Sequence, residues 1–179
     1  KIVVTGCSAQ INPKDYKKMN EVDLILGNEE KFKFKKYLNL LNNNSPEIVV
    51  NDIMSVKETA NHFIKGFDKK ARAFVQIQTG CDHRCTFCII PFGRGNSRSV
   101  PIIKICNQIK ILLEKGFKEI VLTGVDLTSY GNDLYEKPKL GKLIKKILKK
   151  VKNLERLRLS SLDAIEIDKY LIDIIRYEE

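Results

Sequence analysis

The sequence predicts an α/β fold made of two successive runs of strand–helix units. Three observations predict it. Short apolar runs rich in Ile, Val and Leu stop at glycines. Amphipathic stretches with a helical apolar repeat lie between them. In the second half the strand starts lie roughly thirty or more residues apart, the spacing that βα crossovers require.

In order, Ile2 to Thr5 reads as a buried strand ending at Gly6-Cys7, and Pro13 to Met19 as a short helix. Val22 to Leu26 is the next strand, stopped by Gly27-Asn28. Two strands with a helical crossover imply a parallel pair. Glu29 to Leu41 is expected to be helical, and the Asn42–Pro46 run to be a loop. Residues 51–71 carry many charges and little periodicity, and read as a linker between a first segment, 1–50, and a second, 72–179.

The second segment is more regular. Ala73 to Gln78 alternates as a strand does, and Thr79 to Ser99 is a long loop of the kind that compact domains reserve for function. Ser99 is expected to cap a helix that tolerates Pro101 in its first turn and ends at Gly116. Glu119 to Leu122 is a strand stopping at Thr123-Gly124. Leu140 to Lys152 is a helix whose apolar residues 140, 143, 144, 147, 148 and 151 form one stripe. The lysines off that stripe (Lys142, Lys145, Lys146, Lys149, Lys150, Lys152) read as a solvated face. Leu154 to Leu159 and Ile165 to Arg176 complete a third strand and helix. Three such units suit either an open sheet or a truncated barrel.

The chain has 179 residues, 43% hydrophobic and 30% charged, which excludes a wholly disordered chain. No apolar stretch nears the ~18 residues that cross a bilayer. It starts with Lys1 inside an apolar run, and reads as a piece of a longer protein. Lys and Arg number 32 against 22 Asp and Glu, a formal charge of +10 that suits a polyanion but is equally a product of a lysine-rich composition.

Five cysteines lie at 7, 81, 85, 88 and 106. An odd, clustered set points to a metal site and a reducing compartment rather than a disulfide framework. Cys81, Cys85 and Cys88 form C-x3-C-x2-C directly after a strand. Three thiolates on one loop can hold three irons of a [4Fe–4S] cube and leave the fourth iron open. A mononuclear zinc would need a fourth ligand, for which His83 is the nearby candidate. A thioredoxin-type dithiol is disfavoured because Cys85-Thr86-Phe87-Cys88 lacks the usual helix start. Cys106 sits among Ile102, Ile105 and Ile109 and reads as core, and His62 as a surface residue.

The string QTGCDHRCTFCIIPFGRGNSRS over 78–99 resembles the radical S-adenosylmethionine methylthiotransferases. VTGCSAQ over 4–10, LTGVDLTSYG over 122–131 and RLRLSSL over 156–162 agree with the same family in the same order. The resemblance implies the C-terminal part of a Rossmann-like βα domain followed by the first three βα units of a radical-SAM partial TIM barrel. It implies that Cys81, Cys85 and Cys88 ligate a [4Fe–4S] cluster whose open iron binds S-adenosyl-L-methionine, and that a 5′-deoxyadenosyl radical follows. Phe87 would lie near the adenine, and Thr123 and Gly124 near the methionine moiety. Cys7 would be one of three ligands of a second [4Fe–4S] cluster, its two partners lying upstream. Arg94 and Arg98 would meet a carboxylate or RNA phosphate, or brace the loop.

Among the family's branches the motifs look closest to the one acting on N6-threonylcarbamoyladenosine beside the tRNA anticodon, where S–CH3 replaces the C2 hydrogen. The isopentenyladenosine and ribosomal-protein aspartate branches are the alternatives within the family, and a non-catalytic metal-containing RNA-binding module is the alternative outside it. tRNA as partner and a cytoplasmic location follow from the same resemblance, with the reductant and sulfur source unassigned and this segment alone expected to be inactive.

Overall fold

A computed structural model of the protein describes residues 1–43, 45–57 and 71–177. The elements run β1 Val3–Thr5, α1 Cys7–Ile11, α2 Pro13–Lys17, β2 Leu24–Leu26, β3 Glu47–Val49, β4 Arg72–Gln76, β5 Gln78–Thr79, α3 Ile90–Arg94, β6 Arg98–Ser99, α4 Ile102–Glu114, β7 Glu119–Thr123, α5 Leu140–Lys150, β8 Arg156–Leu159 and α6 Lys169–Tyr177. Most of the expected linker, and His62 with it, lies outside the described residues.

By their contacts the residues form two compact units. One comprises the described residues of Lys1–Ala60 together with Gly80–Asn96, and the other those of Asn61–Thr79 with Ser97–Glu179. The long cysteine-bearing loop thus groups with the first sixty residues, although it follows a strand of the second unit.

In the first unit β1, β2 and β3 form a parallel sheet in that order, with Val4 opposite Ile25 and Ile25 opposite Ile48. The parallel crossover is as expected, and β3 is a strand that the sequence reading left out, as is β6, which pairs antiparallel with β5 inside the expected loop over 79–99. Its apolar run, Ile48-Val49-Val50, is only three residues long and abuts the asparagine-rich loop. The core is small, with Ala9, Val22 and Ile25 buried against Val4, Tyr16, Ile48 and Val50. Glu30–Asn42 forms a 3-10 segment broken at Lys33 instead of an α-helix. Phe32, Phe34 and Leu38 are exposed, so the apolar residues of this segment are not buried as one face against the core.

In the second unit the sheet order is β4-β7-β8, all parallel, with Ala73 opposite Ile120 and Ile120 opposite Leu157. The central strand β7 is buried from Glu119 to Leu122, while in β4 only Ala73 and Val75 point inward. An inner strand covered on both faces reads as a continuous apolar run, and a strand covered on one face alternates. Ile105, Ile109 and Leu112 of α4 pack with Leu140, Leu143, Ile144 and Ile147 of α5 in the same core. The stripe on α5 is therefore the core-facing surface that the spacing predicts.

Among the boundaries that differ from the sequence reading, two have identifiable reasons, and the expected loop over 79–99 contains the short helix α3. Ser99 does not cap α4. It belongs to β6, its Oγ accepts from the Gly131 N–H at 2.8 Å, and its own N–H donates to Asp133 Oδ2 at 2.8 Å. Pro101 takes the cap position, and α4 starts at Ile102. The last helix starts at Lys169, after a separate 3-10 turn over Ala164–Glu166. Asp168 sets that start, accepting from the Leu171 N–H at 3.1 Å and from the Gly141 N–H of α5 at 2.9 Å.

Candidate functional site

The loop over 80–96 is closed at its neck by main chain. Cys81 N–H donates to Gly95 O at 3.1 Å. Gly80 has φ +74°, and a Cβ there would collide with the carbonyl of Asn96. Gly95 has φ +76°, and a Cβ on it would sit 2.6 Å from Ile53 O. Both positions therefore need glycine, for backbone conformation and for space.

Within the loop, Cys88 N–H donates to Cys85 O at 3.0 Å, which folds the C-x2-C segment into a turn. Arg84 braces the other half. Its guanidinium donates to Cys81 O at 3.0 Å, His83 O at 3.2 Å and Asn96 Oδ1 at 2.8 Å. The sequence reading assigned Arg84 nothing. Its placement ties the main chain of Cys81 and His83 to Asn96, while the side chains of residues 82–87 are exposed.

None of the five cysteines is in a disulfide. Cys85 is exposed, Cys81 and Cys88 are half-buried, and none is sealed by apolar packing. Three soft donors on one short, closed loop suit an iron–sulfur centre. Cys106 is different in kind. It is 3% exposed in the core of the second unit, and burial pushes its thiol pKa up. That agrees with its reading as a core residue.

Cys7 opens α1 in the same unit as the loop. Helix α3, which follows the cysteines, packs on α1, and Gly93 meets Cys7 so closely that an added Cβ would lie 2.8 Å from Cys7 Cβ and 3.2 Å from Sγ. Asn28, just past β2, spans the two, donating from Nδ2 to Gly93 O at 2.6 Å and to Cys7 Sγ at 3.6 Å. Lys31 Nζ donates to Asn28 Oδ1 at 2.7 Å. Burial, and then the nearby Arg94 guanidinium, lower the Lys31 pKa, while Cys7 acts the other way. The sequence reading used Asn28 only as a strand terminator.

Phe87 is 90% exposed, and its ring is not used by the packing of the loop. Arg94 is exposed and Arg98 is buried in β6. Thr123 ends β7 and Gly124 follows it, both half-buried. The segment after them is held by Gln78, which is fully buried. Gln78 Oε1 accepts from the Val125 and Asp126 N–H groups, each at 2.9 Å, and Nε2 donates to Ser97 Oγ at 2.9 Å. Gly124 is tight against it, since a Cβ there would lie 2.9 Å from Gln78 Oε1.

Comparison with known proteins adds the following. The family described as the Radical SAM superfamily matches residues 75–172. The chain is 56% identical over its whole length to the threonylcarbamoyladenosine tRNA methylthiotransferase MtaB of Rickettsia prowazekii, covering 42% of that protein. It is 41% identical to the protein of the same name from Aquifex aeolicus, over 99% of the chain and 43% of the relative. It is 34% identical to the ribosomal protein uS12 methylthiotransferase RimO of Caldicellulosiruptor saccharolyticus, over 98% of the chain and 40% of the relative. The chain thus spans about two fifths of the length of these relatives.

Proposed function

The chain belongs to the Radical SAM superfamily, and from that premise we propose that it is part of a tRNA methylthiotransferase replacing the C2 hydrogen of N6-threonylcarbamoyladenosine with S–CH3. The observation that carries this reading is the closed loop bearing Cys81, Cys85 and Cys88, set between β5 and α3 with its neck held by Gly80 and Gly95. The likeness to two relatives named for that substrate, at 56% and 41% identity, favours it over the ribosomal-protein branch at 34%.

Under this reading Cys81, Cys85 and Cys88 hold a [4Fe–4S] cluster, and Cys7 is one ligand of a second. With S-adenosylmethionine bound, the first cluster would supply the 5′-deoxyadenosyl radical that removes a hydrogen from a carbon offering neither an acidic proton nor a leaving group. The chain's own residues do the positioning. Arg84 fixes the first turn of the loop, the Cys85–Cys88 turn fixes the second, and the exposed Phe87 ring offers a face for the adenine. Thr123 and Gly124, backed by Gln78, present backbone to the methionine moiety.

Residues 1–50 are then the end of the family's N-terminal domain, 51–71 the connection and 72–179 the start of the core domain. Lys137, Lys139, Lys142, Lys145, Lys146 and Lys149 line one groove with Tyr170, a surface suited to the phosphates of tRNA. No described helix is long and apolar enough to cross a membrane, and the reading places the protein in the cytoplasm.

The test is anaerobic reconstitution of the full-length protein, followed by mass spectrometry of its tRNA. About four irons should be held by the loop cysteines and lost in Cys85→Ala, with the fold kept. The modified nucleoside should gain both sulfur and methyl. A methyl gain alone, or full iron in Cys85→Ala, would reject the reading.

A further inference from the structure

Helix α5 carries charge that works against its own stability. Lys139 stands at its N-cap and Lys142 in its first turn, where the positive end of the helix dipole opposes a cation, and no acidic residue occupies that turn. Lys142, Lys145, Lys146 and Lys149 are exposed and lie three or four residues apart, so like charges are neighbours along one side. Glu136 offsets one of them, at 3.6 Å from Lys142. Among the described residues Lys145, Lys146 and Lys149 have no ion pair. Helix α6 sets an aromatic ring beside this charge. Gly141 lets the start of α6 lie directly on α5, since a Cβ there would sit 2.5 Å from Leu171 N and 2.8 Å from Tyr170 C. Asp168 fixes the contact, accepting from the Gly141 N–H at 2.9 Å and the Leu171 N–H at 3.1 Å, so its carboxylate is engaged by main chain. Tyr170 is held there 65% exposed. Together with Lys137, Lys139 and the four α5 lysines it lines one groove of about 590 Å³.

We propose that this groove binds a single-stranded segment of RNA, with its phosphates on the α5 lysines and one base stacked on the Tyr170 ring. The choice of RNA rests on the reading of the protein as one that acts on tRNA, and the choice of an unpaired strand rests on the groove. Bases inside a duplex are stacked on one another and show only their edges in the grooves, so a duplex would use the lysines and leave the ring without a partner. An unpaired strand offers both a backbone charge and a free base face, the two features that a basic groove with an exposed aromatic takes up. Phosphates seated along α5 also relieve the repulsion among its lysines and the mismatch at its N-terminus.

The experiment measures binding of the full-length protein to an RNA of about twelve nucleotides, single-stranded or as a duplex, across a salt series. Lys145→Glu should weaken the single strand and flatten the log–log salt dependence by about 0.7 or more, while the melting temperature stays level or rises. Tyr170→Ala should weaken the single strand about tenfold, Tyr170→Phe should keep it, and duplex binding should respond to neither. Ultraviolet cross-linking of the parent should tag the peptide that carries Tyr170. Parental affinity in folded Tyr170→Ala, or an unchanged salt slope in Lys145→Glu, overturns the proposal and leaves the reading intact. Tighter binding of the duplex, weakened by Lys145→Glu and not by Tyr170→Ala, overturns it in favour of a surface for paired phosphates. Lysine-dependent binding of phosphatidylglycerol vesicles without binding of the single strand overturns it in favour of a lipid surface. Groove-dependent binding of the single strand beside a tRNA product without added sulfur sustains the proposal and rejects the sulfur-transfer reading. A parent that binds no RNA overturns both.

Discussion

Replacing Gln78 with leucine tests the claim that one buried amide holds the segment after Thr123-Gly124. The change keeps most of the side-chain volume and removes both polar ends. It strips a partner from the N–H groups of Val125 and Asp126 and from Ser97 Oγ. A buried donor or acceptor left unsatisfied costs ~1–3 kcal/mol. Val125 and Asp126 are half-buried, so water reaches them in part and the lower end applies to each, whereas Ser97 is 5% exposed. The two N–H groups at roughly 1 kcal/mol apiece, with the lost bond to Ser97 adding up to about 1, give a loss of about 2–3 kcal/mol.

The assay is urea unfolding followed by circular dichroism, with Ser97→Ala and the double variant alongside. Ser97→Ala alone should cost about 1 kcal/mol. The double variant should be less destabilised than the sum of the two single variants, because both remove the same bond. A loss below ~0.5 kcal/mol in Gln78→Leu, or simple additivity in the double variant, would refute the reasoning.

Three further outcomes follow from the same geometry. Gly80→Ala puts a Cβ into the Asn96 carbonyl at a positive φ, and should cost ~2–4 kcal/mol and lower the iron held by the loop; iron analysis and urea midpoints check it. Tyr130→Phe removes a phenol that is fully buried and donates to Val100 O at 2.7 Å, and should cost ~1–2 kcal/mol in urea unfolding at neutral pH. Burial, and then Asp133, push the Tyr130 pKa upward. The fold therefore favours the neutral phenol, the stability it contributes is complete below an unfolded-state pKa of about 10, and it declines as pH rises above that, a decline that Tyr130→Phe should lessen. Lys145→Glu places a carboxylate four residues before Lys149 and three after Lys142 on α5, and should raise the melting stability by ~0.5 kcal/mol at low salt, with the gain fading as salt is added.

What could be read from the sequence follows a physical division. Elements whose identity rests on neighbouring residues were legible. The α5 stripe, the alternation in β4 and the glycine stops after β2 are all local patterns, and each strand or helix they announce is present. The spacing of Cys81, Cys85 and Cys88 is local in the same sense, and the structure keeps all three on one closed loop. Features decided by distant partners were not. Ser99 has the chemistry of a helix cap, but Gly131 and Asp133 claim it from more than thirty positions away. β3 has too few residues to announce itself and exists because Leu24–Leu26 offers it an edge. Asn28 and Gln78 look like ordinary turn and strand residues until Gly93 and Asp126 arrive beside them.

The grouping of the cysteine loop with the first sixty residues has the same origin, and glycine is its agent. Gly80, Gly93 and Gly95 each lie where a Cβ would strike another part of the unit: the Asn96 carbonyl, the Cys7 side chain and the Ile53 carbonyl. Contacts of that closeness use the backbone surface itself, so at these three points the loop is held by main chain, with Arg84 adding a side-chain brace. Residues 82–87 stay exposed while both ends of the loop are fixed. A loop tethered through side chains would lose that freedom, because the residues near the cysteines would be consumed in packing. The arrangement thus has main chain and glycine setting the position of the loop while Phe87 and Cys85 stay exposed. It also explains why Gly93→Ala should disturb Cys7 sooner than it disturbs Cys85, the former lying against the added methyl and the latter in the exposed part of the loop.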